Sequence, residues 1–392
     1  MELRLASIAN LCCMPTLQDV VDQLHAWYPP DTAEDWDAVG LVHGDPGATV
    51  AKVLFAVDPT VEVAREAAEW GADLLVVHHP LFLRPVHGVA RTTPKGRTLG
   101  VLTDARCALL TAHTNADQAE GGVSEALATT LGLSNLAPIR SVGEEALDKL
   151  TVFVPHSAAD ALRAALAAAG AGRIGDYDHA SFSAPGEGRF RPLEGAAPTV
   201  GEVGRLEVVD EVRVEVVLRR QQRAAVVRAL LDAHPYEEPA YDVVELADPS
   251  VAPTGSGRIG DVEPTTLEEF ARTVARLLPE TAHGVRVAGV PSRTVRRVAV
   301  TGGAGDFLLD AVRHSDADVY VTSDLRHHPA GEFLEKDGPA LIDVAHWAAE
   351  WTWLPVLQTR LEQEWPAAGG SADATVEVRV STICTDPWTH RA

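Results

Sequence analysis

The sequence predicts an α/β protein with two related lobes and a small α+β domain inserted between them. Short apolar runs alternate with helical patterns near both ends of the chain, as in β-α-β units. The segments at 71–80 (GADLLVVHHP) and 316–329 (DADVYVTSDLRHHP) share a turn with Ala-Asp, a β-branched strand and then His-His-Pro. From about residue 148 the order changes to β-α-β-β-α-β, which predicts a ferredoxin-like domain.

The composition favours a soluble cytoplasmic protein of more than one domain. A chain of 392 residues is too long for one ordinary domain, and 46% apolar residues allow large cores. The formal net charge of −23 disfavours nucleic acid and anionic membranes as partners, because both need clustered Lys and Arg. No apolar run approaches the roughly 20 residues of a membrane-spanning helix. The four cysteines form no CxxC pair and indicate no disulfide framework.

The domain boundaries are placed where the pattern changes. We predict the first lobe at 15–147, the inserted domain at 148–248 and the second lobe at 249–392. Residues 1–14 lack the basic start and the small-residue cleavage site of a signal peptide. Since a second methionine, Met14, directly precedes the first clear helical pattern, we expect 1–14 to be a disordered or mis-started N-terminus.

The first lobe begins with a helix and one β-α-β unit. Its first predicted elements are a helix at 17–27, a loop at 34–41, a strand at 53–57 and a helix at 61–70 that Gly71 ends. A buried strand at 74–77 follows and runs into His78-His79-Pro80. Pro80 cannot extend a strand ladder, so both imidazoles lie at the carboxyl end of a sheet, where α/β proteins place ligand sites.

The orientation of the His78-His79 pair bears on the kind of site. Adjacent residues on an extended chain point to opposite sides, so the pair suits two neighbouring metal ions better than one. Taken alone, such a pair also suits ordinary surface or core histidines. The next apolar run, at 107–112, likewise ends in polar residues, HTNAD at 113–117, before a helix at 123–130. Asp117 is therefore a second candidate ligand position.

The inserted domain is predicted from alternating and helical patterns. Its elements are a strand at 150–154, a helix at 158–169, a loop segment at 171–192, strands within 205–218, a helix at 221–233 and a strand within 234–246.

The second lobe repeats the α/β alternation. Its elements are a helix at 267–278, a strand at 295–300, a Gly-rich turn at 301–306, a helix at 307–313, strands at 318–322 and 340–344, a helix at 345–351 and a closing strand at 374–382. His346 and Glu350 are four residues apart on a predicted helix, so their side chains lie on one face. That helix directly follows a strand, which places both side chains at a carboxyl edge as well.

Three strand ends thus supply five candidate metal ligands: His78, His79, Asp117, His346 and Glu350. Imidazole and carboxylate together suit Zn²⁺, Fe²⁺, Mn²⁺, Co²⁺ or Ni²⁺. Five ligands exceed the three that a lone catalytic zinc uses, and a carboxylate that bridges two ions would account for them. Glu350 is our candidate bridge, and the sequence predicts two divalent ions per chain.

Further candidates rank lower. They are predicted either to hold the metal ligands in place or to contact the substrate. The Gly-rich turn can bind an anion through backbone amides, although such turns are common and this one lacks a P-loop lysine. His113 is polar enough to matter, but the sequence does not place it. The lower-ranking set is Asp37, Thr301, Gly302, Gly303, Asp324, His327 and His328.

These motifs resemble a known family. EDWDAVGL, LLVVHHPLF, AHTNAD, TGGAGDF, DVYVTSDLRHH and DVAHWAAE, in this order, are similar to the Nif-three-like dinuclear-metal proteins, often labelled GTP cyclohydrolase I type 2 homologues. The resemblance runs from about residue 15 over nearly the whole chain. The central segment is similar to the inserted domain of the longer bacterial members, which resembles nitrogen-regulator and copper-tolerance modules.

The resemblance implies a dinuclear site built from the same five residues and a toroidal homohexamer, possibly a dimer of trimers. Small departures, such as Trp347 where Tyr is frequent, remove no ligand. The implied activity is that of a divalent-metal-dependent hydrolase, in which an activated water acts on a nucleotide or related small substrate. The alternative is a non-catalytic hexameric scaffold or regulator that binds metal. No catalytic residue is assigned, and no Lys or Arg cluster is evident near the ligands.

Overall fold

The computed structural model describes residues 14–141, 147–175, 177–246, 254–365 and 376–392. The predicted disordered or mis-started segment, 1–14, lies outside these ranges except for Met14. In the described parts of the chain, no helix combines the length and the apolar character needed to cross a bilayer. The chain divides into two compact units, one from residues 1–141 and 252–392 and one from residues 142–251.

The described residues contain strands in the following order: β1 (Gly40–His43), β2 (Lys52–Ala56), β3 (Leu74–Val77), β4 (Ala108–Thr111), β5 (Ser134–Ala137), β6 (Arg140–Ser141), β7 (Leu147–Pro155), β8 (Phe182–Phe190), β9 (Glu207–Arg219), β10 (Tyr241–Glu245), β11 (Gly255–Ser256), β12 (Arg258–Thr266), β13 (Val285–Ala288), β14 (Thr294–Ala304), β15 (Val319–Ser323), β16 (Ala340–Val344) and β17 (Glu377–Val380).

The α-helices of the described residues are α1 (Leu17–Trp27), α2 (Val61–Trp70), α3 (Pro94–Ala105), α4 (Thr114–Gln118), α5 (Val123–Thr130), α6 (Ala159–Ala168), α7 (Arg223–Ala233), α8 (Leu267–Leu277), α9 (Leu309–Arg313), α10 (His327–Glu335), α11 (His346–Trp351) and α12 (Leu354–Glu364).

The first unit contains two sheets with the same central arrangement. One sheet has the order β1-β4-β3-β2-β17, and the other has the order β13-β16-β15-β14-β12-β5. In each sheet three consecutive strands pair in parallel: β3 pairs with β2 and β4, and β15 pairs with β14 and β16. An antiparallel strand, β1 or β13, closes one side of each parallel set. Both sheets therefore direct the carboxyl ends of three neighbouring strands to one edge.

The parallel strands are apolar because both of their faces are covered. Every residue of β3, β4, β15 and β16 is buried, as expected for central strands packed between helices. One hydrophobic cluster takes in residues of both sheets, including Phe55, Val76, Val321 and Ile342. This continuous core supports the strand ends of both sheets within the same unit.

Helix boundaries in this unit follow local capping chemistry. Thr16 and Asp19 form a capping box at the start of α1, and Thr266 and Glu269 form another at the start of α8. Helix α2 ends at Gly71, whose φ of 75° is in the left-handed region that favours glycine. The helices predicted at 17–27 and 61–70 coincide with α1 and α2 for this reason, and the helix predicted at 123–130 coincides with α5, which begins after Gly122 without a side-chain cap.

The second unit is a four-stranded antiparallel sheet with two helices. Its sheet order is β10-β7-β9-β8, and the elements follow one another as β7, α6, β8, β9, α7 and β10. The apolar faces of α6 and α7 pack on the sheet through residues such as Leu162, Leu166, Val226 and Leu230. This unit therefore has a hydrophobic core of its own.

The prediction for 171–192 was wrong in part. Residues 182–190 form strand β8, whereas the pattern at 205–218 that predicted more than one strand belongs to the single long strand β9. Pro185, Gly186 and Gly188 gave β8 the composition of a loop. Because β8 lies at the edge of the sheet, it tolerates proline and glycine that a central strand would not.

The predicted Gly-rich turn at 301–306 is shorter than expected. Strand β14 continues through Ala304, and a 3₁₀ turn at Asp306–Leu308 follows. The second His-His-Pro also differs from the first, since His327 and His328 begin helix α10, whereas His78 and His79 follow a buried strand.

Candidate metal centre

The carboxyl ends of the parallel strands of both sheets meet at one cluster of histidines and carboxylates. In the first sheet, β3 is followed by His78 and His79, and β4 by His113 and then by Asp117 on α4. In the second sheet, β16 leads into α11, whose first turn carries His346 and Glu350 on one face. The predicted ligands are thus brought together from elements more than 250 residues apart in sequence.

Glu350 lies at the centre of this cluster. Its Oε1 atom is 2.7 Å from His346 Nε2 and 3.4 Å from His78 Nε2, and its Oε2 atom is 3.3 Å from His79 Nε2. His78 Nε2 is also 3.6 Å from Asp117 Oδ1. The two oxygens of one buried carboxylate therefore face different histidines, which is the arrangement expected of a bridging ligand.

The side chains of His78 and His79 do not point to opposite sides, as they would on an extended chain. The rings of His78 and His79 have their centroids 5.0 Å apart, and both face the cluster. Strand β3 ends at Val77, so the two residues lie in a bend, where the alternation of an extended strand no longer applies. Each ring nevertheless approaches a different oxygen of Glu350.

His113 is a cluster member that the sequence did not place. Its ligand atom and those of His78 and His79 all lie within 4.8 Å of one another, and the same holds for His79, His346 and Glu350. Two overlapping sets of three that share His79 suit two neighbouring positions for ions. The available signal was that His113 follows the end of β4 and precedes Asp117 by four residues, as His346 precedes Glu350.

Each histidine of the cluster is held from behind through Nδ1. His78 bonds to the carbonyl of Ala112 at 3.0 Å. The other three bond to carboxylates, namely His79 to Asp58 at 2.8 Å, His113 to Asp37 at 2.7 Å and His346 to Asp324 at 2.7 Å. Such bonds fix the ring and leave Nε2 as the free ligand atom, an arrangement common in metal sites. Of these acceptors, Asp37 and Asp324 were predicted as groups behind the ligands, and Asp58 was not.

Three buried atoms of the cluster support the fit to a metal. Asp117 Oδ1, His346 Nε2 and Glu350 Oε2 are buried and have no partner in hydrogen-bond geometry, although His346 Nε2 lies 2.7 Å from Glu350 Oε1 in an ion-pair contact. Leaving a buried polar atom unpaired costs about 1–3 kcal/mol, so three in one place point to a ligand that pairs with them. Imidazole nitrogen and carboxylate oxygen are the donors that borderline divalent ions prefer. The residues present therefore fit a divalent metal.

The electrostatics of the cluster favour positive charge at its centre. Burial on its own lowers the pKa of His79 and of His346, but Glu350 together with Asp58 or Asp324 outweighs burial and raises these pKa values to about 10 and about 11. Burial opposes the charge of Glu350, yet the histidines hold its pKa well below its usual range. Protons and metal ions compete for the same imidazole nitrogens, so the field that attracts one attracts the other.

Gly303 allows the backbone of β14 to approach the cluster. A Cβ atom at this position would lie 2.6 Å from Glu350 Oε1 and 3.3 Å from His346 Nε2, and its φ is +70°. The Gly303 carbonyl accepts hydrogen bonds from the hydroxyls of Thr322 (3.1 Å) and Ser323 (2.6 Å). A side chain is excluded here by both space and conformation.

The cluster opens into a cavity of about 540 Å³. Of the lower-ranking candidates, Thr301, Gly302 and Gly303 line this cavity, while His327 and His328 are exposed at the start of α10 and do not. Lining residues outside the predicted set include Trp36, Arg140, Ser256 and Phe307. Hydrophobic periodicity marks none of them, because each lies in a loop, a two-residue strand or a short turn.

A mixed α/β fold whose parallel strand ends converge on histidines and carboxylates defines a protein with a candidate metal centre. The family model Duf34/NIF3 (NGG1p interacting factor 3) matches residues 15–387. The chain belongs to this family.

Its relatives include proteins that match over nearly their whole length. A "GTP cyclohydrolase 1 type 2 homolog" of Mycobacterium bovis is 49% identical over 374 residues, which are 95% of this chain and 96% of the relative. A protein of Bacillus subtilis with the same name is 35% identical over 373 residues, which are 95% of this chain and 98% of the relative. The crystal structure of a Bacillus cereus protein related to NIF3 has a TM-score of 0.64 at 35% identity and covers 96% of this chain and 99% of its own.

Proposed function

We propose that the protein is a divalent-metal-dependent hydrolase with two ions per chain, acting on a nucleotide or related small substrate. The observation that carries the proposal is the set of three buried ligand atoms on Asp117, His346 and Glu350 that make no hydrogen bond and belong to residues lining one cavity. A pair of bound divalent ions supplies a water activated for nucleophilic attack and polarises a substrate oxygen.

The ligand roles follow from the two overlapping sets of side chains. His78, His79 and His113 offer one position, and His79, His346 and Glu350 offer the next, with Asp117 close to His78. Glu350 lies close to histidines of both sets and would be the ligand that the two ions share. The ion at either position would be Zn²⁺, Fe²⁺, Mn²⁺, Co²⁺ or Ni²⁺, since all accept imidazole and carboxylate.

The chain itself orients these ligands and limits access to them. Asp37, Asp58 and Asp324 hold Nδ1 of three histidines, which fixes the direction of each Nε2. The site is nearly closed from behind, because His78 is 1% exposed and Glu350 is 2% exposed. A substrate approaches from the cavity side only, where Trp36 and Phe307 form part of the wall.

The names of the relatives support a nucleotide substrate, because several are called GTP cyclohydrolase 1 type 2 homologs. The alternative is a non-catalytic hexameric scaffold that binds metal, and turnover separates the two. Loaded protein that hydrolyses GTP or a phosphoester supports the enzyme. Loaded protein without turnover on any such substrate supports the scaffold.

We also propose the arrangement of domains and copies. Two related lobes, 15–147 and 249–392, would flank an inserted ferredoxin-like domain at 148–248, in a cytoplasmic homohexamer. The matching parallel strands of the two sheets support related lobes, and the β-α-β-β-α-β order of the second unit supports the insertion. Light scattering tests the assembly, and a particle with the mass of one chain would contradict it.

Metal content tests the site. Protein purified without added metal is expected to hold about two ions per chain by elemental analysis. The double variant His346→Ala, Glu350→Ala is expected to lose them and to keep its circular dichroism spectrum, because α11 gains helix-favouring alanines. The matched control is His327→Ala, His328→Ala, which removes an exposed pair and should change nothing. One ion or none in the native protein would contradict the two-metal proposal.

A further inference from the structure

Arg140 has a special place among the side chains of the metal-site cavity. Within the described chain it is the single Lys or Arg that lines this cavity, whereas Glu34, Asp117 and Glu350 are the acidic lining residues. No carboxylate of the described residues forms an ion pair with it, and its guanidinium lies 5.4 Å from the ring centroid of Phe307, another lining residue. The ring orients the cation and leaves its hydrogen-bond donors available.

The Ser256 side chain neighbours Arg140. Arg140 on β6 is the cross-strand partner of Ser256 on β11, and directly opposed residues project from the same face of a strand pair. Ser256 is only 5% exposed and lines the same cavity. A guanidinium fork and a neighbouring hydroxyl therefore face one cavity from one short ladder.

The short ladder is held in place by a second arginine. Arg258 is buried and donates to the carbonyls of Gly255 and Gly257 at 2.7 and 2.8 Å, on either side of Ser256. Its other nitrogen donates to the carbonyl of Ala119 at 2.8 Å, at the end of the helix that carries Asp117. The strand opposite Arg140 is thus fixed relative to the metal cluster.

We propose that Arg140 and Ser256 bind the phosphate group of the substrate while its reacting part lies at the metal cluster, an inference that rests on the proposed function. A guanidinium fork by itself satisfies the two oxygens of a carboxylate, whereas a phosphate offers a further oxygen to the Ser256 hydroxyl. The charge of −23 on the chain repels anions, so an anionic substrate needs a local cation. A cavity of about 540 Å³ is within the range of small-molecule sites.

Isothermal titration of metal-loaded protein with GMP, guanosine and inorganic phosphate tests this. The native protein is expected to bind GMP at least tenfold more tightly than guanosine. Arg140→Ala should lose at least tenfold in GMP affinity with guanosine affinity unchanged, and Arg140→Lys should recover part of the loss. Arg272→Ala, which removes an exposed arginine of α8, is the matched control and should bind as the native protein does.

Metal content is measured for every variant, because the metal itself attracts phosphate. Equal metal content with an Arg140-dependent loss of GMP affinity supports the subsite. Equal GMP affinity in native protein and Arg140→Ala, or no binding of GMP by the native protein, overturns it. Binding of inorganic phosphate that depends on Arg140, without tighter binding of GMP, would show an anion site that is not a substrate site and would also overturn it. Absence of turnover with Arg140-dependent GMP binding intact would reject the hydrolase and not the subsite.

Discussion

The Nδ1 acceptors show how single residues direct the cluster. Asp324 accepts from His346 Nδ1, and this bond holds the pKa of Asp324 below its usual range. Its φ of 58° is one that Asn adopts as readily as Asp. An Asn can keep the shape of this position and lose the charge that strengthens the bond to the imidazole.

We therefore expect Asp324→Asn to weaken metal binding by about 10- to 100-fold, the usual effect of losing such a carboxylate. Competition with a coloured chelator measures it. Asp104→Asn, which alters an exposed pair with Arg91, is the control and should leave the affinity unchanged. An unchanged affinity in Asp324→Asn would mean that the carboxylate does not support the ligand.

Gly303 gives a second prediction at this scale. Gly303→Ala places a methyl group 2.6 Å from Glu350 Oε1 and demands a left-handed φ from a residue with a Cβ. The conformation alone costs about 1–2 kcal/mol, and displacement of Glu350 should reduce metal content. Urea unfolding and elemental analysis measure both effects. Gly331→Ala on α10, where a Cβ atom would meet no other atom, is expected to keep metal content and to be neutral or stabilising. Full metal content in Gly303→Ala would show that the cluster tolerates the methyl group.

At the scale of elements, Arg258 connects the short strand β11 to helices α4 and α5. Its buried guanidinium bonds to backbone carbonyls beside β11 and at the end of α4, and to Glu125 on α5 at 3.2 Å. Lysine retains the charge but has no planar fork, so it cannot reach acceptors in several directions at once. Several buried carbonyls would then lack a donor.

Arg258→Lys is accordingly expected to lower the free energy of unfolding by about 1–3 kcal/mol, the cost of leaving buried acceptors without a donor. Because Arg258 also holds the end of α4, which carries Asp117, the substitution should lower metal affinity as well. Denaturant unfolding with and without metal separates the two effects. The same exchange at the exposed Arg272 should change neither. A loss below about 1 kcal/mol would contradict the role assigned to the Arg258 guanidinium.

For the whole molecule, the two compact units predict two thermal transitions. The second unit has its own hydrophobic core, and all candidate ligands belong to the first unit. A ligand that binds only the folded state stabilises by about 2.7 kcal/mol at a hundred times its Kd. Removal of metal with a chelator should therefore lower the Tm of one transition by about 5–10 °C and leave the other unchanged.

Scanning calorimetry measures this, and chelator already saturated with metal is the control. The His346→Ala, Glu350→Ala variant should have the Tm of the metal-free native protein, and the chelator should not change it. Equal shifts of both transitions would contradict the assignment of the metal to the first unit alone.

The sequence by itself determined the features that arise within one strand-turn-helix segment. Apolar periodicity predicted α1, α2 and α5, with caps at the first two, and the polar residues that follow a buried strand identified His78, His79 and Asp117. The spacing of His346 and Glu350 on a helix is of the same local kind. Strand β8 escaped this reasoning because its composition is that of a loop, and only the neighbouring strand makes it an edge strand.

The tertiary structure decided which distant residues meet. Asp58 and Arg140 carry no local pattern of function, and their roles arise from contact with side chains on other elements. The orientation of the His78 and His79 rings depends on the bend after β3 and on the Nδ1 acceptors behind them. Periodicity reports the environment of a segment, whereas a site of this kind depends on distances across the fold, which packing sets and local sequence does not encode.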